Sequence, residues 1–123
     1  MWKACQLGII ALVFLSSCGD AADKENEGTE LFSRYMCFTC HSLDGRPMYG
    51  PPLNDLYLKE VTVLRQGRQK TIVAKRKYLK KSITDPDYEK VLDYENRIMP
   101  EPNIPREDLE ILVDYLIELG EEE

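Results

Sequence analysis

The clearest periodic stretch lies near the C-terminus, where Leu109, Leu112, Val113 and Leu116 recur at i, i+3, i+4 and i+7. That spacing puts apolar side chains on one face of an α-helix. Pro105 stands where such a helix can begin and Gly120 follows Leu119 where it can stop, because proline fits a first helical turn and glycine the residue after the last. A shorter helix is expected over residues 30–36, capped by Thr29, with Glu30 in its first turn and Leu31, Phe32 and Tyr35 on its apolar face. Two β-branched runs, EVTVL at 60–64 and KTIVA at 70–74, flank RQGRQ and predict a two-stranded hairpin. Alone, a hairpin is marginal, so it must lie across something else. A further helix over residues 75–82, with Tyr78, Leu79 and Ile83 as its apolar content, is expected to end near Asp85-Pro86, and another short one to cover residues 87–93. Asp44-Gly45-Arg46-Pro47 and Gly50-Pro51-Pro52 break regular structure into an ordered loop that holds Leu53, Leu56 and Tyr57. Arg97-Ile98-Met99-Pro100 is extended, since Pro100 and Pro102 forbid helix there. The pattern predicts a mainly α domain with a small β-hairpin insertion.

The N-terminal stretch follows a different logic. Lys3 precedes a nearly unbroken apolar run at residues 7–15, and Leu15-Ser16-Ser17-Cys18 comes directly after it. This is the layout of an export signal, too short for an ordinary membrane-spanning helix of roughly 20 residues. A cysteine right after small residues resembles the lipobox of bacterial lipoproteins, in which Cys18 becomes the acylated first residue; the plainer alternative is an ordinary signal cleaved nearby. The expected organisation is a signal peptide at 1–17, a lipidated flexible tether at 18–28, a folded domain at 29–120 and an acidic tail at 121–123. The protein is then exported and lipid-anchored on the periplasmic or cell-surface side of a bacterial membrane.

Charge refines the picture. The chain carries −6, and removing residues 1–17, whose only charge is Lys3, leaves −7. Residues 59–81 hold nine basic side chains against Glu60 alone, a local +8, whereas residues 101–123 hold nine acids against Arg106, a local −8. If folding keeps the zones apart, they steer a charged partner; otherwise each is a solvated face. The acidic total and the export signal disfavour nucleic acid.

With Cys5 in the signal and Cys18 assigned to lipid, only Cys37 and Cys40 remain for the folded body, in the stretch CFTCH. A thioredoxin-like redox pair requires a preceding strand and a βαβ sheet, but the pattern here predicts a helix. A zinc site requires four ligands, and beyond Cys37, Cys40 and His41 the fourth would have to be a carboxylate. The third reading uses all three residues: two thiols at this spacing add to the vinyl groups of one haem, and the histidine after them is a proximal iron ligand. His41 is the sole histidine. Among Met36, Met48 and Met99 as a sixth ligand, the first two lie too close to the CFTCH stretch to reach the opposite face, which leaves Met99, and Met/His ligation raises the reduction potential.

Together these residues resemble a class I cytochrome c over residues 28–119. Cys37, Cys40 and His41 match that family's haem motif. Gly50-Pro51-Pro52-Leu53 matches its Gly-Pro-x-Leu segment, and Met99-Pro100 its distal methionine. The resemblance implies one covalent haem c on Cys37 and Cys40, iron held by His41 and Met99, Pro51 carbonyl accepting from His41 Nδ1, Leu53 packed on the haem, and terminal helices that cross. It implies a one-electron carrier rather than an enzyme, working between membrane-associated redox proteins such as a terminal oxidase or a quinol-oxidising complex. The alternative is a gas- or peroxide-binding haem protein with a labile sixth ligand. Arg46, Tyr57, Tyr78 and Arg97 are the candidate partners for haem propionates. Residues 61–99 are also similar to the cytochrome c domain fused to subunit II of some haem-copper oxidases, here without a copper domain.

Overall fold

Residues 20–121 are described by a computed structural model, so Cys18 and the expected signal peptide lie outside the described residues. Three helices, a 3-10 turn and a small sheet follow in chain order: α1 (Asp20–Arg34), the turn (Cys37–Thr39), β1 (Glu60–Arg65), β2 (Arg68–Val73), α2 (Arg76–Thr84), β3 (Lys90–Val91) and α3 (Arg106–Glu118). A mainly α description therefore holds only in part, because an antiparallel three-stranded sheet of order β2-β1-β3 stands beside the helices.

Helix α3 organises the core through two faces. Leu112 and Tyr115 pack with Leu31 and Phe32 of α1, while Leu109, Val113 and Leu116 pack with Leu79 of α2. The periodicity in the sequence thus marks both faces of one helix sandwiched between the other two. Phe32 and Tyr115 meet with ring centroids 6.2 Å apart at 59°, a tilted aromatic pair of the kind worth about 0.5–1.5 kcal/mol beyond its buried area. Gly28 and Thr29 contact Tyr115, whereas Tyr35 donates to Asp108 Oδ2 at 2.6 Å. Partners descend along α3 as α1 ascends, so the two helices run in opposite directions where they touch.

The first helix starts earlier than its pattern suggests. Residues expected as a tether reaching residue 28 are instead the opening turns of α1, and Thr29 is not its cap. Its hydroxyl donates back to the Glu25 carbonyl at 2.8 Å, within the helix. The reason is packing: Gly28 is buried against Tyr115, and a Cβ there would lie 2.5 Å from Tyr115 Cβ and Cγ. The glycine that reads as linker is a helix contact.

The hairpin is tighter than expected. Arg65 pairs with Arg68, leaving Gln66-Gly67 as a two-residue turn with φ of 50° and 72°, the left-handed geometry that suits the right-handed twist of a hairpin. Where a short helix was expected at residues 87–93, Lys90 and Val91 instead pair with Leu64 and Val63. The valine pairing supplies the hairpin's missing support, since Val63 is fully buried.

Candidate functional site

Arg34 ends α1, and Met36 turns the chain with φ 58°, ψ 27°. That left-handed residue reverses the direction of the backbone just past a helix end and launches the turn carrying Cys37 and Cys40. Both cysteines are half-buried and not disulfide-bonded to each other. Backbone bonds from Cys40 and His41 to the Cys37 carbonyl, at 3.2 and 3.0 Å, hold the turn closed.

His41 Nδ1 donates to the Pro51 carbonyl at 2.8 Å. A carbonyl can only accept, so this contact puts a proton on Nδ1 and, in the neutral ring, leaves the Nε2 lone pair free to bind a metal. The loop is drawn in by Gly50 N to Cys40 O at 2.8 Å and Leu53 N to Ser42 O at 2.9 Å. Ser42, itself buried, donates to Arg46 O at 2.6 Å and ties off the far end of the loop. Gly50 lies against the imidazole: a Cβ there would sit 2.5 Å from His41 Cε1 and 2.8 Å from Nδ1.

All of this faces a cavity of about 500 Å³, within the roughly 300–1,000 Å³ range of small-molecule and cofactor sites. Cys37, Cys40, His41, Pro51 and Leu53 line one side, and Met99 and Ile104 come from the extended segment far along the chain. Phe32, Leu79, Leu112 and Leu116 give the helices' contribution to the lining. Six predicted site residues therefore share one apolar cavity. Met36 lines its edge but is largely exposed, and Met48 lies outside it.

Neither competing reading of the cysteines finds its setting. Among the described residues no group of three or more His, Cys, Asp or Glu side chains is arranged to hold a metal ion. The motif follows a helix and the sheet is antiparallel, unlike the setting of a thioredoxin-type pair.

The model of the family described as Cytochrome c matches residues 25–120. The chain belongs to the cytochrome c family. No curated protein matches it. Membership implies a covalently bound haem c, and this cytochrome's cavity fits one: two thiols and an imidazole with a free Nε2 on one side, a thioether lining the same apolar space, and no side chain at Gly50 to push the imidazole away. Members of the family are generally electron carriers rather than enzymes.

The propionate candidates separate. Arg46 pairs with Asp44 at 2.6 Å on the exposed loop, and Tyr57 packs against Gly120; neither lines the cavity. Tyr78 and Arg97 do, and burial pushes the Tyr78 phenol up, so it stays a neutral hydrogen-bond donor. The sequence pattern missed Glu89, a carboxylate 7% exposed on the cavity wall that accepts from Arg65 Nε at 2.7 Å. No spacing in the sequence signals that pair, which depends on β3 folding back onto β1.

The two charge zones meet rather than stand apart. Arg76 and Lys80 of α2 pair with Glu110 of α3, and Arg76 also with Asp114. Arg65, Lys81 and Lys59 have partners as well. Among the described residues Arg68, Lys70, Lys75 and Lys77 are exposed and take part in no ion pair.

Proposed function

We propose that this cytochrome is a one-electron carrier with a His/Met-ligated haem, Cys37 and Cys40 forming the thioether links and His41 and Met99 the axial ligands. The observation that carries the proposal is the convergence of CFTCH and Met99 on one apolar cavity, with His41 Nδ1 already engaged by Pro51. The bound haem supplies a one-electron couple, and a methionine sixth ligand favours its reduced state. The polypeptide does the rest by position. Pro51 fixes the imidazole plane and tautomer. Leu53, Leu79, Leu112 and Leu116 exclude water, which limits reorganisation when charge changes. With His41 and Met99 both holding the iron, small molecules would find no open coordination site.

Arg68, Lys70, Lys75 and Lys77 are the surface through which an acidic redox partner is steered, in short-lived, salt-sensitive encounters. Export and acylation at Cys18 fit the signal-like N-terminus, and two or more acyl chains at about 0.8 kcal/mol per buried methylene anchor a protein stably. Partners are then membrane-associated redox proteins, a terminal oxidase or a quinol-oxidising complex among them.

A potentiometric titration followed by absorption tests the carrier role. A single reversible one-electron wave, with no turnover of peroxide, is expected. Peroxide turnover, or a low-potential wave typical of ligation without methionine, overturns it.

A further inference from the structure

Two residues before Met99, Arg97 reaches the loop that leads into Pro51. Its Nη1 donates to the Met48 carbonyl at 3.2 Å and to the Tyr49 carbonyl at 2.9 Å. The guanidinium also lies 5.2 Å from the Tyr49 ring centroid and 5.5 Å from that of Tyr94, within cation–π range. The neighbouring Ile98 amide donates to the Tyr49 hydroxyl at 3.1 Å, and Lys90 Nζ donates to the Arg97 carbonyl at 2.9 Å. Tyr49 stands two residues before Pro51, which orients His41. Thus the segment bearing Met99 and the loop bearing Pro51 are joined by the Arg97 side chain and by the Ile98 amide, with β3 bracing the joint through Lys90.

The geometry explains why a joint is required. Residues 92–105 carry no helix or strand; Ile104 packs on the core, but Ile98 beside Met99 is 72% exposed, so neither secondary structure nor deep burial holds the stretch around Met99. Irregular segments with few buried contacts open locally at low free-energy cost. Hydrogen bonds from a charged donor are stronger than neutral ones, and Arg97 donates two of them to backbone acceptors.

We infer that Arg97 is a positioning residue that clamps the Met99 segment to the 48–51 loop and so sets how readily Met99 leaves the iron. This rests on the His/Met ligation proposed above. Loss of the clamp opens a sixth coordination site without changing any ligand.

The test uses the haem-loaded protein and compares Arg97→Leu, Arg97→Lys and Met99→Ala, measuring the rate at which carbon monoxide binds the reduced form alongside thermal unfolding. Removing hydrogen bonds from a charged donor at an exposed site is expected to raise the Arg97→Leu rate about tenfold. Arg97→Lys, which keeps a cation but not the planar donor fork, falls between it and wild type, and Met99→Ala binds fastest. A wild-type rate in Arg97→Leu, whatever its melting temperature, overturns the clamp, as do equal rates in the Leu and Lys variants. An unchanged rate in Met99→Ala instead overturns the ligation itself, and with it the clamp.

Discussion

Gly50 gives His41 room: the imidazole Cε1 lies where only a residue without a side chain can pass, 2.5 Å from the position a Cβ would take. Gly50→Ala must therefore push the ring or the loop aside, at the 1–3 kcal/mol typical, to about that order, of overpacking. The hydrogen bond to Pro51 is the first contact to lengthen. We expect a lower melting temperature together with a shifted reduction potential, both measurable on the haem-loaded protein. A stability loss with an unchanged potential would show that His41 does not depend on this loop.

At Gly28 the usual expectation for a helix is reversed. Replacing glycine by alanine inside a helix ordinarily gains about 0.8–1 kcal/mol, yet here the added carbon would meet Tyr115 Cβ and Cγ at 2.5 Å. Gly28→Ala should lower stability by about 1–3 kcal/mol in denaturant unfolding. A gain would mean that α1 and α3 slide apart without loss.

Much of this fold is legible in the sequence where side-chain chemistry is local. Pro105, Gly120 and the Leu109–Leu112–Val113–Leu116 spacing mark α3, and the CFTCH spacing marks the cavity's thiol side. What stays hidden depends on distant partners. Residues 20–28 are polar and look like linker because the buried residue among those described there is Gly28, whose contribution is the absence of a side chain. Lys90 and Val91 form a strand by pairing with Leu64 and Val63, and nothing near residue 90 says so. Arg97 can be guessed as a cationic partner for haem propionates, but its bonds to the Met48 and Tyr49 carbonyls require knowing that two remote loops meet.

Stability should depend on pH through the contact between α2 and α3. Hydrogen bonds from Lys80, then Arg76, hold the Glu110 carboxyl below its ordinary range. A depressed carboxyl stabilises the fold fully above its ordinary pKa and loses that contribution as pH falls through the lowered value. Thermal unfolding from about pH 7 down to about pH 3 should show Glu110→Gln less stable than wild type at neutrality, with the gap closing in acid. A gap that persists unchanged to low pH would assign the difference to packing.

Electron transfer to an acidic partner should slow as salt rises, since exposed charges are screened over about 10 Å at 0.1 M ionic strength. Lys70→Glu with Lys77→Glu should lower the association rate and flatten its salt dependence, leaving the potential and the melting temperature close to wild type. The check is stopped-flow reduction of a purified redox partner at several ionic strengths. Equal salt slopes for variant and parent would remove this surface from the encounter.

Carbon monoxide added to the reduced wild-type protein addresses the carrier claim most directly. With His41 and Met99 both on the iron, the visible spectrum of the reduced form should stay unchanged over the minutes after mixing. Prompt conversion to a carbon monoxide spectrum would contradict a six-coordinate carrier and identify an open haem site in its place.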